Sequence, residues 1–395
     1  MHKFREIWIL TFWVKHMSKY IKLNLETEQK TNIKINEDYI KPYAEEVLNI
    51  LENQDYMKTL KFARSMMISQ ELKANNVIEG IKDDLSIIDK VITQRKDNLT
   101  KIERNRIINL YHGYQYILTH KKINKETLKE LYSELSEGIL DSYALTNMGK
   151  YYREKPVYII KGNRLDTEPF QGMKSENIDY HMNQFFEFTN SDVLEKTEID
   201  KFIKSQVMHF YFVYIHPYFD VNGRTSRTTS MWYLLNKQNY PYIIFNRAIS
   251  FNKREYEQNI IKGRNYGDIT LFIKYMLKSV QKELEKEYVI HNIEENIDIP
   301  ISKEERQILE YLLTMNGNLT VKDLTQFYNN YNDKEKSKNI LEKIQSLIQN
   351  EILINKGNTK SFITPTEPNI KIGLNRELID IDESKIKHLK LDNYR

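Results

Sequence analysis

The chain has 395 residues, of which 40% are hydrophobic, so it can bury a large core and divide into two or three domains. A formal net charge of +4 does not by itself indicate a nucleic-acid or anionic-membrane partner. The absence of cysteine excludes disulfides, thiolate metal sites and cysteine nucleophiles, and it favours a cytoplasmic location.

The N-terminal extension, residues 1–39, contains an apolar run from Ile7 to Val14 between basic residues. This run is shorter than the roughly 20 apolar residues that span a bilayer, and no small-residue cleavage site follows it. We therefore expect neither a membrane span nor a secretory signal. Two interpretations remain open: a true start at Met17, and a peripheral membrane anchor.

Helical periodicity dominates the chain from residue 40 onwards and predicts a mainly α-helical fold, with a helical N-terminal region at 40–140. Gly149–Gly162 differs, because it is aromatic, β-branched and bounded by glycines, so it predicts a short β-hairpin. Thr197–Asp200 resembles a capping box that begins an apolar-striped helix. Pro217 should end that helix at the preceding residue, His216.

The C-terminal half predicts further helices and a second module. A helix is expected from Gly223 through Leu235, followed by helices at about 253–264 and 268–287, which complete a core region at 141–285. We expect a linker at 285–300 and a capping box at Ser302–Glu305. Three short helices (about 303–314, 320–329 and 334–349) and a hairpin (352–363) predict a winged-helix domain at 300–366, followed by a tail at 367–395.

The residues that carry chemistry lie in one segment, His216–Arg227, which joins two predicted helices through a loop. The second helix begins at Asn222 and Gly223, and its first N–H groups have no intrahelical acceptor, so they form a phosphate cradle that the helix dipole reinforces. Arg224 and Arg227 share a helix face at this positive end, which suits a polyphosphate.

Two side chains before the cradle add to this pattern. Asp220 can hold Mg²⁺ between phosphate oxygens. His216, at the end of the preceding helix, can act as a general base. Each residue alone has an ordinary structural explanation, whereas their joint spacing predicts a nucleotide site.

This segment resembles the Fic family signature, His-Pro-Phe-x-Asp/Glu-Gly-Asn-Gly-Arg-x-x-Arg. The positions in register are His216, Pro217, Asp220, Asn222, Gly223, Arg224 and Arg227. Tyr218 replaces the usual Phe, and Val221 replaces the first Gly. If that glycine position requires a positive φ, a β-branched residue there is strained, so the fold is predicted more firmly than the activity.

The resemblance implies a Fic-type helical core that binds ATP with Mg²⁺ and transfers AMP to a Tyr, Thr or Ser hydroxyl of a target protein. It implies that His216 is the catalytic base and that Asp220 holds the metal. The ATP-binding residues that it implies are Asn222, Gly223, Arg224, Arg227, Tyr256 and Asn265. For Tyr256 and Asn265, which it places at the adenine, an ordinary helix-surface role is an equal alternative.

Two other segments resemble parts of Fic proteins. Asn75–Gly80 resembles the inhibitory motif Ser/Thr-x-x-x-Glu-Gly/Asn, with Asn75 in place of Ser or Thr. In that motif Glu79 pairs with Arg227 and blocks the γ-phosphate; a plain surface carboxylate is the alternative. Gly149–Ile160 resembles the flap, a hairpin that docks the target segment, and its predicted docking residues are Tyr152, Val157 and Tyr158.

Several functional alternatives remain open at the level of sequence. The motif fixes the diphosphate geometry but not the transferred group, so UMP or phosphocholine transfer is a variant of the same reaction. A different class is a DNA-binding regulator or toxin–antitoxin-type protein, built on the winged helix, whose nucleotide site Val221 weakens. DNA contact through the winged helix and a homodimer are both left open. His209 is expected to pack in the core and not to bind a metal.

Overall fold

The computed structural model describes residues 19–51, 64–79, 91, 99–159, 170–237, 245–250, 252–314, 319–323, 334–356, 371–381, 386 and 389. Within these residues the fold is mainly α-helical, with three small antiparallel sheets. The chain divides into two compact units: Ile68–Lys278 with the segment up to Leu48, and Ser279–Arg395 with Asn49–Met67. No helix among the described residues is long and apolar enough to cross a bilayer.

Eleven described helices contribute to the first unit. They are α1 (Glu37–Leu51), α2 (Arg64–Ile78), α3 (Lys101–Thr119), α4 (Lys125–Ser136), α5 (Ser142–Asn147), α6 (Ser175–Thr189), α7 (Glu198–Ile215), α8 (Asn222–Lys237), α9 (Phe245–Ser250), α10 (Lys253–Tyr266) and the start of α11 (Thr270–Glu295). Reciprocal capping boxes at Thr100, Asn124 and Thr197 begin α3, α4 and α7. The capping box predicted at Thr197–Asp200 is thereby confirmed.

Helix α7 lies at the centre of the first unit. Its own residues are buried on all of its faces, which is the pattern of a fully enclosed helix. It packs against α6 and α8. It ends at Ile215, as Pro217 predicts, and His216 follows with a positive φ of 55°. This sharp ending leads the chain directly into the loop that carries the motif.

An N-terminal hairpin lies within the predicted extension, residues 1–39. Strand β1 (Tyr20–Glu26) pairs antiparallel with β2 (Asn32–Asn36). Leu23, Leu25, Ile33 and Ile35 are buried, so apolar and polar residues alternate with the period of a strand. The alternation is visible in the sequence, but it is short and lies among polar residues. The run Ile7–Val14 and Met17 lie outside the described residues.

The predicted hairpin within 149–162 is wrong in its pairing. Met148 and Arg153 form an isolated bridge that closes a tight turn. Strand β3 (Tyr158–Ile159) then pairs with β4 (Phe170–Gln171), which lies beyond the predicted segment. Pro156 explains part of the difference, because a residue without an N–H cannot complete a regular ladder between the two halves of 149–162.

The second unit contains the rest of α11, α12 (Lys303–Thr314), α13 (Lys334–Gln349) and a three-stranded sheet. Its strands are β5 (Leu319–Thr320), β6 (Leu353–Asn355) and β7 (Lys371–Leu374), with β7 in the middle; a 3₁₀ turn, Arg376–Leu378, follows. The capping box at Ser302 and Glu305 is confirmed, since each side chain accepts the other's backbone N–H.

Three boundaries in this unit are corrected. Helix α11 continues to Glu295, because Val289, Ile290 and Ile293 extend its apolar stripe into the core, so the linker at 285–300 is wrong over that part. The described partner of strand β6 is β7, which lies beyond the predicted hairpin, and residues 357–363 of that hairpin lie outside the described residues. The predicted tail at 367–395 supplies β7 and buried core residues, including Ile372 and Leu374.

Candidate active site

The motif loop is held in shape by Asn222. Its side-chain Oδ1 accepts the N–H of Tyr218 at 3.0 Å, and its Nδ2 donates to the carbonyl of Tyr218 at 2.8 Å. Tyr218 is itself buried and stacks on Tyr132 with 3.5 Å between ring centroids. The side chain of Asn222 therefore clamps the loop, and its predicted contact with a phosphate stays a prediction.

Val221 occupies the position of the first signature glycine with a φ of 64°. A left-handed conformation costs a non-glycine residue about 1–2 kcal/mol, and a β-branched residue is an outlier there. Neighbouring groups hold the conformation: the Val221 N–H donates to Asp220 Oδ1 at 2.6 Å, and its carbonyl accepts from the main chain and hydroxyl of Thr225. These bonds hold the left-handed backbone conformation at a residue that is not glycine.

A cavity of about 410 Å³ opens beside this loop, a size typical of small-molecule sites. Helices α7 and α10 line it together with the motif residues and the end of α2. The lining residues are Ile78, Glu79, Phe210, Val213, Tyr214, His216, Phe219, Asp220, Val221, Asn222, Gly223, Arg227, Lys253, Tyr256, Glu257, Ile260, Ile261 and Arg264. The start of α8, with its unpaired first N–H groups, therefore faces this cavity.

Arg227 and Glu79 meet inside the cavity, as the inhibitory motif predicts. Arg227 is only 2% exposed, and its Nη2 forms a short ion pair with Glu79 Oε1, while the Glu79 side chain remains 30% exposed. A methyl group on Gly223 would lie 2.7 Å from the same Glu79 oxygen. The carboxylate can approach the first turn of α8 this closely because residue 223 has no side chain.

The charge of Glu79 is stabilised by two arginines. Desolvation raises the pKa of its carboxyl, but the positive charges of Arg227 and Arg224 outweigh this effect and lower the pKa below its usual value. Glu79 is thus an anion in the position nearest to Arg227.

Helix α2, which ends directly before Glu79, is attached to the unit by two further side chains spaced four residues apart. Asn75 Oδ1 accepts from Arg227 Nε at 2.8 Å. Glu71 is buried and accepts the N–H groups of Asn246 and Arg247 at 3.0 and 3.1 Å. Burial raises the pKa of Glu71 to about 8, against the opposing charge of Arg247. Residues 71, 75 and 79 form one stripe that faces the unit.

His216 borders the cavity as a neutral imidazole. Burial, followed by the positive charges of Arg264 and Arg153, lowers its pKa to about 3, although the Val213 backbone and Glu79 act in the opposite direction. Its Nδ1 is inaccessible to solvent, which leaves Nε2 as the nitrogen for a reaction partner. A neutral histidine is in the protonation state that a general base requires.

The other two charged motif residues differ in their surroundings. Arg224 is buried and is not among the cavity-lining residues, and its Nε has no hydrogen-bond partner among the described residues. Asp220 is exposed and borders the cavity. No group of three metal-ligating side chains occurs among the described residues. Any divalent ion at Asp220 would need its remaining ligands from a bound phosphate and water.

Comparison with known proteins agrees with this geometry. Residues 122–234, which include the whole motif loop, match the family model described as Fic/DOC family. The chain contains a Fic domain. Its match begins nineteen residues before the core boundary of 141 expected from sequence, so that α4 lies within it.

Relatives and solved structures extend the likeness beyond the Fic domain. The chain is 24% identical over 223 residues to Protein adenylyltransferase Fic of Nematostella vectensis, and 25% identical over 233 residues to the protein of the same name from Drosophila mojavensis. These matches cover 55% and 57% of this chain and 48% and 42% of the relatives, so the chain spans about half the length of the curated relatives. The crystal structure of a Fic family protein from Desulfovibrio desulfuricans G20 shares the fold, with 17% identity, a TM-score of 0.54, and coverage of 85% of this chain and 96% of that chain.

The two residues predicted at the adenine differ in their surroundings. Tyr256 is buried, lines the cavity, and its hydroxyl lies 2.5 Å from His209 Nε2. Asn265 is exposed and is not among the cavity-lining residues, because it lies on the outer side of α10. His209 is buried and stacked on Tyr256, in keeping with the packing role expected for it.

The flap residues of the Fic domain lie near the motif loop but differ in exposure. Tyr158 is exposed on β3, Val157 is half-buried and its carbonyl accepts the N–H of Gly172 at 2.8 Å, and the Tyr152 ring lies 6.2 Å from that of Tyr218. Tyr152 therefore packs beside the motif loop, and Tyr158 presents a ring to solvent.

Sequence reasoning missed several side chains that the fold brings to the site. Arg264 lines the cavity and donates to the Tyr214 carbonyl at 2.7 Å. Lys253 also lines the cavity, and Arg153 contacts the His216 backbone. No local motif marks these residues, since Lys253 and Arg264 reach the site from α10 and Arg153 reaches it from the flap turn. Asn75 differs from the Ser or Thr of the inhibitory motif, and that difference does not predict its bond to Arg227.

Proposed function

We propose that this protein is an adenylyltransferase that transfers AMP from ATP to a Tyr, Thr or Ser hydroxyl of a target protein. The observation that carries the proposal is the convergence on one cavity of a neutral His216, the positive end of α8 and Arg227. The name shared by the curated relatives, Protein adenylyltransferase Fic, supports the same reaction.

In the proposed reaction His216 Nε2 accepts the proton of the target hydroxyl. The hydroxyl oxygen forms a bond with the α-phosphorus of ATP, and the bond from that phosphorus to the bridging oxygen of pyrophosphate breaks. The proton resides on His216 and pyrophosphate leaves with the bonding electrons. Because the imidazole is neutral before the reaction, no prior deprotonation is required.

The triphosphate is proposed to lie along the first turn of α8. The main-chain N–H of Gly223 and the helix dipole stabilise negative charge there. Arg227 would bind the γ-phosphate, and Arg224, whose buried Nε lacks a described partner, would bind the β-phosphate. Asp220, an exposed carboxylate at the cavity, fits Mg²⁺, which neutralises charge on the phosphates when it is bound.

Glu79 is proposed to inhibit the enzyme by occupying the γ-phosphate position. The ion pair with Arg227 and the close approach of the carboxylate to Gly223 support this role. A triphosphate could bind Arg227 productively only after the carboxylate moves away, because both anions need the same guanidinium.

The transfer reaction can be tested directly with α-labelled ATP. Glu79→Gly protein, Mg²⁺ and cell lysate should give labelled protein bands, and Glu79→Gly/His216→Ala should give none. ATP labelled at the γ-phosphate should label no band, which distinguishes AMP transfer from phosphorylation. If α-labelled ATP gives no band while the protein binds ATP, transfer of AMP is excluded, and UMP and phosphocholine donors should be tried next.

We further infer that the second unit is a winged-helix domain. The succession of α12, β5, α13, β6 and β7, with β7 between the other two strands, supports this inference. Whether it contacts DNA is open to a salt-dependent binding assay with duplex DNA.

A further inference from the structure

Arg153 is one of the largest fully buried side chains of the described chain, although it belongs to the exposed flap turn. Its neighbours Glu154 and Lys155 are exposed. Burying a guanidinium is costly, and burial lowers the pKa of Arg153 to about 10. A buried cation on a surface turn therefore needs a specific reason.

The hydrogen bonds of Arg153 connect the flap turn to the catalytic loop. Its main-chain N–H donates to the carbonyl of Pro217 at 3.0 Å, and its Nε donates to the carbonyl of His216 at 3.0 Å. Its Nη1 donates to the carbonyl of Lys155 at 2.8 Å, and its Nη2 to that of Met173 at 2.5 Å. One residue thus binds two consecutive carbonyls of the motif loop and both flanks of the flap.

The carbonyl acceptors matter because of the conformation of His216. A φ of 55° is unfavourable for a non-glycine residue by about 1–2 kcal/mol, so the surrounding contacts must hold it. The bond from Arg153 Nε fixes the orientation of the His216 carbonyl. The main-chain bond fixes that of Pro217. Rotation of the peptide plane between these residues would break one or both bonds and would displace the imidazole.

We propose that Arg153 is a positioning residue that holds His216 in its left-handed conformation and couples this histidine to the flap. The proposal rests on AMP transfer as the reaction of this site and adds a residue outside the signature to it. Substitution of Arg153 should misplace the base without changing the phosphate cradle, which belongs to α8.

The kinetic test compares Arg153→Met and Arg153→Lys in the Glu79→Gly background. Arg153→Met should lower kcat for transfer by about 100-fold, because a misplacement of roughly 1 Å has an effect of that order, and should leave the Kd for ATP within about twofold. Arg153→Lys keeps the charge but lacks the fork that reaches several carbonyls, so it should rescue only part of the loss. Lys155→Ala, on the same turn and exposed, is the matched control and should be unchanged.

Two further measurements separate positioning from general folding. In Arg153→Gly protein, added guanidinium at non-denaturing concentration should restore kcat several-fold, while His216→Ala should show no such rescue. In protein with isotope-labelled histidine, Arg153→Met should shift the His216 ring resonance and raise its pKa, because a positive charge is lost nearby. This measurement does not depend on activity, so it tests the role of Arg153 even if the Glu79→Gly parent transfers no AMP. Absence of transfer by that parent would overturn the proposed function and not the role of Arg153.

The proposal is overturned by kcat within about threefold of the parent in Arg153→Met together with an unchanged His216 resonance. It is equally overturned if both Arg153→Met and Arg153→Lys fail to fold and guanidinium restores nothing, since Arg153 would then serve the stability of the fold alone.

Discussion

Val221 shows at the scale of one residue how a motif position can hold a left-handed backbone without a glycine. The signature glycine permits a positive φ without cost, and Val221 adopts a φ of 64° with a β-branched side chain that is only 5% exposed. The sequence predicts strain at this position if its φ is positive, and the φ of Val221 is positive. The packing of the buried side chain offsets part of the conformational cost.

The strain at Val221 predicts that a glycine variant is more stable than an alanine variant, the reverse of the usual order. Val221→Ala and Val221→Gly lose nearly the same packing, but alanine keeps the left-handed cost, so the glycine variant should be more stable by about 1 kcal/mol. Urea unfolding of both proteins measures this difference. At an ordinary backbone position alanine is the more stable of the two, so that order would show that residue 221 has a negative φ in solution.

His216 predicts a separation of chemistry from binding. The imidazole borders the cavity but is not part of the first turn of α8, so His216→Ala should reduce transfer by about 10²–10⁴-fold and leave ATP affinity nearly unchanged. Single-turnover labelling and calorimetric titration with ATP measure the two quantities. An equal loss of ATP affinity would make His216 a binding or structural residue.

At the scale of elements, α2 acts as a unit attached through Glu71, Asn75 and Glu79. Because these residues are spaced by four, one face of the helix carries Glu71 and Asn75, and Glu79 follows directly after the last helical residue, Ile78. The pairing of Glu79 with Arg227 was predictable, since a motif names both residues. The attachments of Asn75 and Glu71 were not, because their partners lie more than 150 residues away and no local spacing marks them.

Glu79→Gly should raise transfer by an amount that the exposure of the ion pair limits. A charge-assisted pair contributes on the order of 1.5–3 kcal/mol when shielded, which corresponds to roughly 10–100-fold. Because the carboxylate is 30% exposed, we expect the lower end of this range, about tenfold. Rates of labelling at saturating target measure it. Arg227→Ala serves as the control and should not activate, since the same arginine is proposed to hold the γ-phosphate.

The flap predicts a change in target use alone. Val157→Pro keeps the carbonyl that accepts from Gly172 but removes an N–H beside β3, where a target strand is expected to pair. Transfer to targets should fall by about tenfold, the effect of one main-chain hydrogen bond, with ATP affinity unchanged. Unaltered transfer in a titration of target would remove the flap from the docking surface.

At the scale of the whole molecule, the sequence predicted long helices better than short strands. A helix of fifteen or more residues repeats its apolar spacing several times, as α7 does. Strands β3 and β4 have two residues each, and their pairing is decided by contacts across the fold. The same reason explains why β7 was not predicted within the C-terminal segment. The positions of Arg153 and Arg264 at the site likewise depend on tertiary contacts.

Stability of the first unit should depend on the ionisation of His216. Its pKa is 6.5 in an unfolded chain and about 3 in the folded unit, so between these values the unfolded state binds more protons and stability falls as the pH falls. His216→Asn should therefore lose less stability between pH 7 and pH 5 than the parent. The fluorescence of Trp232, buried in this unit, can follow unfolding once Trp8 and Trp13 are replaced by Phe. Equal losses in both proteins would contradict a depressed pKa.

Because Gly223 has no side chain, the Glu79 carboxylate lies close to the start of α8, and this has a consequence for the affinity of the site for ATP. Under the proposed function, the Glu79 carboxylate and a productive triphosphate compete for Arg227, so docking of α2 and ATP binding are negatively linked and each weakens the other by the same factor. Saturation with ATP should accordingly accelerate amide hydrogen exchange in α2, although the nucleotide never contacts most of that helix. The cellular ATP level would then set the fraction of molecules that are released from inhibition.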